Sequence, residues 1–210
     1  MFRKYHYIPA VLFFVSITSA QGFYPYQANK HEFTFKISPS LPDFVFSFSL
    51  FDTSNNHIGG SRIYIRRANS HRIIQTIITD VRVIYFQVND MNFDGYLDLL
   101  LAVGPQGSGG AGYDVWLYAP KAGKFKYDAQ FDDLTEPTPD PKTHTITSFH
   151  QNGKDSGSRR IFRFESGELI PILLEEDQYD RTIGKVIRTT TEYHGVAGPV
   201  VRVDTVTHDN

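Results

Sequence analysis

The feature that most constrains this chain is the alternation of apolar and polar residues with a period of two. In Phe44-Val45-Phe46-Ser47-Phe48-Ser49-Leu50 and in Arg62-Ile63-Tyr64-Ile65-Arg66, every second side chain is apolar. Successive side chains of a strand point to opposite faces of a sheet, so this pattern predicts half-buried strands. Strands are predicted at residues 31–37, 44–50, 62–66, 73–78, 81–88, 97–103, 113–118, 143–149, 160–164, 169–174, 185–190 and 200–206. No window after residue 20 holds a sustained helical pattern, so the predicted class is all-β.

The arrangement of these strands follows from a weak internal repeat. Residues 116–127 and 161–170 each read as an aromatic strand, a glycine turn and a second strand, and residues 44–51 with 62–65 form a looser copy. Recurrent hairpins favour an antiparallel, propeller-like fold, in which radial repetition leaves only short edges. Ordinary hairpins in a β-sandwich are the alternative. The proline-rich segment 136–141 is predicted to be a surface connection, because proline cannot donate to a sheet.

The N-terminus predicts export. Arg3 and Lys4 precede an uncharged apolar run at residues 8–17, and Thr18-Ser19-Ala20 offers small residues for cleavage. The run is shorter than the roughly 20 apolar residues that span a bilayer. We therefore expect a signal peptide at 1–20, a single mature domain at 21–210, a periplasmic or secreted protein, and no membrane attachment after cleavage.

The charge of the mature chain argues against nucleic acid as a partner. Loss of Arg3 and Lys4 lowers Lys+Arg from 21 to 19 while Asp+Glu stays at 23, so the formal net charge is −4. This charge provides no basic field that would attract nucleic acid or anionic lipid. The chain has no cysteine, so its core must stabilise it, and a bound metal ion would add to that stability.

The strongest chemical signal is the segment Asp90-Met91-Asn92-Phe93-Asp94-Gly95-Tyr96-Leu97-Asp98. It places oxygen-bearing side chains at loop positions one, three, five and nine, with glycine at position six for the sharp turn. Calcium prefers six to eight oxygen ligands. The predicted calcium ligands are the side chains of Asp90, Asn92, Asp94 and Asp98 and the backbone carbonyl of Tyr96. An Asx-rich turn without metal is the alternative.

This loop differs from an EF-hand in two respects. Position twelve is Leu101 instead of a bidentate glutamate, and both flanking segments are predicted strands instead of helices. Asp98 must then act as the closing acidic ligand. We therefore predict a structural site that joins two strands, because no helix pair is available to open as in a calcium sensor.

The loop resembles the calcium loop of FG-GAP repeats in integrin-type propellers. Together with Val115-Trp116-Leu117-Tyr118 and Gly123-Lys124-Phe125, it is closer to a bacterial family of exported proteins with a single such loop. That family includes the periplasmic lysozyme inhibitor, or immunity protein, of type IV secretion killing systems. The resemblance covers residues 88–176 and implies a propeller-like fold, bound calcium and inhibition by loop insertion into the active-site cleft of a glycan hydrolase.

The glycine-rich segment 104–112 is the candidate for such an inserting loop. It has no Gly-Lys-Ser/Thr ending, so phosphate binding is not expected. Small residues permit close backbone approach, and an aromatic ring can anchor an interface. The resemblance implies loop insertion as the mode of inhibition, and on this segment the candidate partner-binding residues are Gln106, Gly107, Gly109, Gly110 and Tyr113. A flexible hairpin loop without a partner is the alternative.

The sequence offers little support for an enzyme. It has no Gly-x-Ser-x-Gly motif and no cysteine nucleophile. Asp132, Asp133 and Glu136 could pair for glycoside hydrolysis, but a solvated loop explains them more simply. We therefore expect a non-enzymatic inhibitor of a lysozyme-like peptidoglycan hydrolase. The alternatives are a calcium-stabilised envelope module without such a partner and, less favoured, a glycan hydrolase.

Overall fold

A computed structural model describes residues 23–25, 32–53, 57–105, 110–153, 155–195 and 198–206 of the chain. Within these residues the protein is built from strands, with one short 3-10 turn at Ala129–Phe131. The strands in chain order are β1 (Phe23–Pro25), β2 (Glu32–Phe35), β3 (Phe44–Thr53), β4 (His57–Arg67), β5 (Ile73–Thr79), β6 (Val83–Asn89), β7 (Asp98–Pro105), β8 (Ala111–Ala119), β9 (Lys124–Tyr127), β10 (Thr138–Asp140), β11 (Thr145–Gln151), β12 (Gly157–Glu165), β13 (Glu168–Asp180), β14 (Lys185–Tyr193) and β15 (Pro199–Val206). None of the described segments is a helix long and apolar enough to cross a membrane.

The strands form three antiparallel sheets. The first sheet has the order β2-β3-β4-β5, the central sheet β1-β6-β7-β8-β9, and the third sheet β10-β11-β12-β13-β14-β15. Within each sheet, apart from β1, which pairs with β6, strands that are consecutive in sequence are hydrogen-bonded neighbours. This is the arrangement that short turns between alternating strands favour. The prediction of an all-β, antiparallel protein is confirmed.

Two hydrophobic clusters hold the sheets together. The first lies between the first and central sheets and is dominated by phenylalanine, with Phe48 stacked on Phe86 at a ring-centroid distance of 4.6 Å. The second lies between the central and third sheets and contains Leu100, Phe131 and Ile146. The central sheet is therefore covered on both faces, which makes its strands the most deeply buried part of the protein.

The packing is sandwich-like. Sheets lie against each other through their apolar faces, and the described residues form neither a closed barrel nor a propeller ring. A propeller-like arrangement thus remains a prediction, whereas the β-sandwich alternative fits the observed packing.

The proline-rich segment 136–141 was predicted to be a surface connection, but the structure contains a short strand there. Residues Thr138–Asp140 form the short strand β10 at one edge of the third sheet, with Pro139 buried and opposite Ile146. An edge strand needs hydrogen bonds on one side only, so the missing N–H of proline is tolerated there.

Candidate functional site

The acidic loop connects β6 and β7, two adjacent inner strands of the central sheet. β6 ends at Asn89, β7 begins at Asp98, and these two residues are paired, which closes the loop at its base. Phe93 and Gly95 have φ angles of 59° and 83°. Such left-handed conformations let the chain reverse within a few residues, and glycine adopts them without strain.

Hydrogen bonds turn the polar side chains of the loop toward its own backbone. The Asp94 N–H donates to Asp90 Oδ1 at 3.1 Å and to Asn92 Oδ1 at 3.2 Å, and the Gly95 N–H donates to Asp90 Oδ2 at 2.8 Å. The Tyr96 N–H donates to Asp94 Oδ1 at 2.9 Å. These contacts are Asx-type turns, in which side-chain oxygens replace backbone acceptors. They hold side-chain oxygens of positions one, three and five against the backbone N–H groups of residues 94–96.

Asp98 lies deeper than the other acidic residues and is 0% exposed. Its Oδ2 accepts the Met91 N–H at 2.8 Å and its Oδ1 accepts the Tyr118 N–H at 2.7 Å. The carboxylate thus ties the start of the loop to β8. Burial raises the pKa of Asp98 to about 8, because the cost of desolvation outweighs the two backbone donors that lower it.

The loop contacts all three sheets. The Leu97 N–H donates to the carbonyl of Ile37, just after β2, at 2.8 Å. The Tyr96 ring lies 5.4 Å from the Tyr118 ring. Phe93 stacks on His144 of the β10–β11 turn, with centroids 4.9 Å apart and planes within 6°. The sequence predicted a connection between two strands, whereas the structure places the loop where three sheets meet.

His144 is a contact residue that sequence reasoning missed. Nothing in the local sequence relates it to Phe93. Both residues have positive φ angles, 53° for His144 and 59° for Phe93. Their partnership depends on the third sheet folding back against the acidic loop, and no short-range pattern reports that.

The donor atoms of the loop suit calcium, but their positions in this structure do not form a complete metal site. All the predicted ligands are hard oxygen donors, which calcium prefers. Yet the described residues contain no group of three or more His, Cys, Asp or Glu side chains placed to hold a metal ion. Asp90 and Asp94 lie together, while Asp98 faces Met91 and Tyr118. The pKa of Asp90 is raised, first by burial and then by the charge of Asp94, so a cation would offset an unfavourable concentration of negative charge.

The glycine-rich loop is described only at its ends. Gln106, Gly107 and Gly109 lie outside the described residues, and the loop is closed by the pairing of Pro105 with Ala111. Gly110 has a φ of 97°, and a Cβ there would lie 2.8 Å from Thr135 Cγ2. Glycine is therefore required at this position for both backbone and packing reasons.

Tyr113 does not have the exposed position that an interface anchor needs. It is only 4% exposed and belongs to the cluster between the central and third sheets. Its hydroxyl donates to the Tyr85 hydroxyl at 3.0 Å and accepts from Gln87 Nε2 at 3.0 Å. The prediction that Tyr113 is an exposed aromatic anchor is corrected. Tyr113 lies in β8, the strand that follows the glycine-rich loop, and its ring packs in the core.

A groove of about 500 Å³ borders the described end of the glycine-rich loop. Gly110 lies on its rim, and the face of the third sheet forms its wall. Two ion pairs cross that wall: Arg159 Nη1 to Glu175 Oε2 at 2.9 Å, and Arg188 to Asp177 through two contacts of 2.7 Å. The sequence did not predict this surface, because Arg159, Glu175 and Asp177 lie outside the predicted strands.

The other acidic candidates lie on the connection between β9 and β10. Asp132, Asp133 and Glu136 are all exposed. Asp132 Oδ1 accepts the Tyr127 hydroxyl at 2.5 Å, and the Asp133 carbonyl accepts Arg160 Nη2. This placement agrees with the interpretation of a solvated loop.

Comparisons with known proteins show a similarity of fold. No family model matches the chain, and no curated protein matches it. Among solved structures, the fold is similar to that of a Xanthomonas type IV secretion system related protein, with a TM-score of 0.57 and 12% sequence identity. The similarity covers 90% of this chain and 100% of that one. At this level of identity the comparison establishes a common architecture.

Proposed function

We propose that the protein is an exported inhibitor of a peptidoglycan hydrolase, associated with type IV secretion and stabilised by calcium. The observation that carries the proposal is the shared fold: 90% of this chain matches the whole of a Xanthomonas type IV secretion system related protein. The resemblance of residues 88–176 to exported lysozyme inhibitors points to the same context. Neither argument depends on the other.

In this proposal the acidic loop is a structural calcium site. Asp90, Asn92, Asp94 and the carbonyl of Tyr96 supply oxygens, and Asp98 supplies a lone pair that its two backbone donors leave free. Each carboxylate oxygen can accept more than one contact, so the observed hydrogen bonds are compatible with a metal ligand role. An affinity of about 10⁻⁴–10⁻³ M is sufficient outside the cytoplasm.

The partner surface comprises the glycine-rich loop and the adjoining groove. The loop starts from β7, which is buried on both faces, and ends at Tyr113, whose hydroxyl is hydrogen-bonded on two sides. A rigid base reduces the entropy lost when a loop enters a cleft. The mature charge of −4 also favours encounter with basic lysozymes.

A lysis assay tests this proposal. Purified protein is added to a panel of lysozyme-type peptidoglycan hydrolases, and turbidity loss of a cell-wall suspension is recorded. Stoichiometric inhibition is expected. Gln106→Ala weakens it, whereas Thr182→Ala, in the distant exposed turn between β13 and β14, leaves it unchanged.

Two results would refute the proposal. Release of muropeptides by the protein itself would make it an enzyme. Absence of binding to every hydrolase of the panel would favour the alternative of a calcium-stabilised envelope module.

A further inference from the structure

Strand β15 is an exposed edge of the third sheet. It pairs with β14 on one side, and no described residue pairs with its other side. Residues 199–205 are all exposed, including Val201 at 58% and Val203 at 64%. A strand that is open on one edge and uncovered on both faces presents unpaired N–H and C=O groups to any strand that approaches.

Apart from one charge of each sign, little in β15 protects this edge from pairing. Proteins commonly block such edges with proline, bulges or inward-pointing charges. Here Pro199 stands at the first position only, and the rest, Val-Val-Arg-Val-Asp-Thr-Val, is rich in β-branched residues. These residues favour strand pairing because they pack well across neighbouring strands.

The two charges of the strand determine which partner fits. Arg202 and Asp204 lie on the same face, two residues apart, with Val203 between them on the other face. The Asp204 carboxylate has no ion-pair partner among the described residues, because the neighbouring Arg188 bonds Asp177. Arg202 is only 3.8 Å from Glu192, a weak and exposed pair.

An antiparallel copy of β15 complements these charges in one register. With Val203 opposite Val203, each Arg202 faces an Asp204, and Val200 faces Val206. A shift of the two-fold centre by one residue in either direction places Arg202 opposite Arg202 or Asp204 opposite Asp204. Like charges directly opposite each other destabilise a strand pair, so the sequence favours the register centred on Val203.

We infer that two copies of this chain associate through antiparallel pairing of β15 with β15, about a two-fold axis at Val203. The interface joins two six-stranded sheets into one continuous sheet. Because the same surface is used by both copies, assembly stops at the dimer. This inference does not depend on the identity of a hydrolase partner or on calcium.

Complementary charge variants test the pairing. Arg202→Asp makes the strand acidic at both positions, and Asp204→Arg makes it basic at both. For each variant alone, the dimer dissociation constant measured by sedimentation equilibrium should be at least about tenfold higher than that of the parent. An equimolar mixture of the two should recover the parental affinity, since every cross-strand pair is then of opposite charge. Recovery in the mixture separates lost pairing from misfolding.

Cysteine crosslinking tests the register. The chain has no cysteine, so a single substitution gives one thiol per copy. Under mild oxidation Val203→Cys should form a disulfide-linked dimer much faster than Val201→Cys, which is on the same face but away from the axis. A parent that stays monomeric from micromolar to sub-millimolar concentration, or equal crosslinking of the two variants, would overturn the inference.

Discussion

At the scale of single residues, Asp98 is both a predicted calcium ligand and a buried hydrogen-bond acceptor. Its carboxylate accepts two backbone N–H groups, from Met91 and Tyr118, and is completely buried. Removal of an acceptor leaves a buried donor unsatisfied, which costs about 1–3 kcal/mol for each group. The residue therefore has a structural role whether or not calcium is bound.

Asp98→Ala should lower the free energy of unfolding by about 2–4 kcal/mol, because two buried N–H groups lose their partner. The measurement is urea unfolding in the presence of a chelator, so that no metal contributes. Asp94→Ala is the matched control: Asp94 is exposed in the same loop, and its loss should cost less than about 1 kcal/mol. Equal effects of the two substitutions would contradict the assignment.

Substitutions at Gly110 and Gly95 provide a second comparison between single residues. Both have positive φ angles, but a Cβ at Gly110 would lie 2.8 Å from Thr135 Cγ2, whereas a Cβ at Gly95 meets nothing within 4 Å. Gly110→Ala should therefore be more destabilising than Gly95→Ala by about 1–3 kcal/mol, the usual cost of overpacking. Thermal unfolding of both variants in chelator measures the difference. A larger loss for Gly95→Ala would argue against the described packing.

At the scale of elements, β7 is buried on both faces and contributes residues to both hydrophobic clusters. Leu99 and Leu101 face the first sheet, and Leu100 and Ala102 face the third. Leu100→Ala should cost about 2–5 kcal/mol, as expected for a cavity in a close-packed core. Val203→Ala in β15 is the control and should cost less than about 0.5 kcal/mol in dilute solution, since its side chain is exposed. Chemical denaturation curves of both variants test the contrast.

The positions of most strands could be predicted from the sequence, whereas the residues at which the strands begin and end could not be predicted as accurately. Every predicted segment overlaps an observed strand, because period-two alternation reflects a half-buried sheet directly. The uninterrupted run Leu99-Leu100-Leu101-Ala102-Val103 also signals burial on both faces. β10 was missed, since Pro139 argues against a strand unless the strand is known to lie at an edge.

At the scale of the whole molecule, the acidic loop couples the three sheets, so calcium should stabilise the entire fold. A chelator is expected to lower Tm, and Asp94→Ala should abolish that sensitivity. Calcium at a hundred times its dissociation constant adds roughly 2.7 kcal/mol by mass action. Calorimetry with calcium, with magnesium and with chelator measures the effect. An unchanged Tm of the parent protein in all three conditions would exclude a structural calcium site.

The sequence by itself determined the class of structure and the chemistry of the acidic loop, because both depend on short-range patterns: a period of two along the strands and oxygens at alternate loop positions. It did not reveal that Tyr113 is buried, that Phe93 stacks on His144, or that Asp98 bonds the backbone of β8. Each of these facts depends on which sheets face each other. Only the tertiary structure decided that, since packing brings together residues that no local pattern relates.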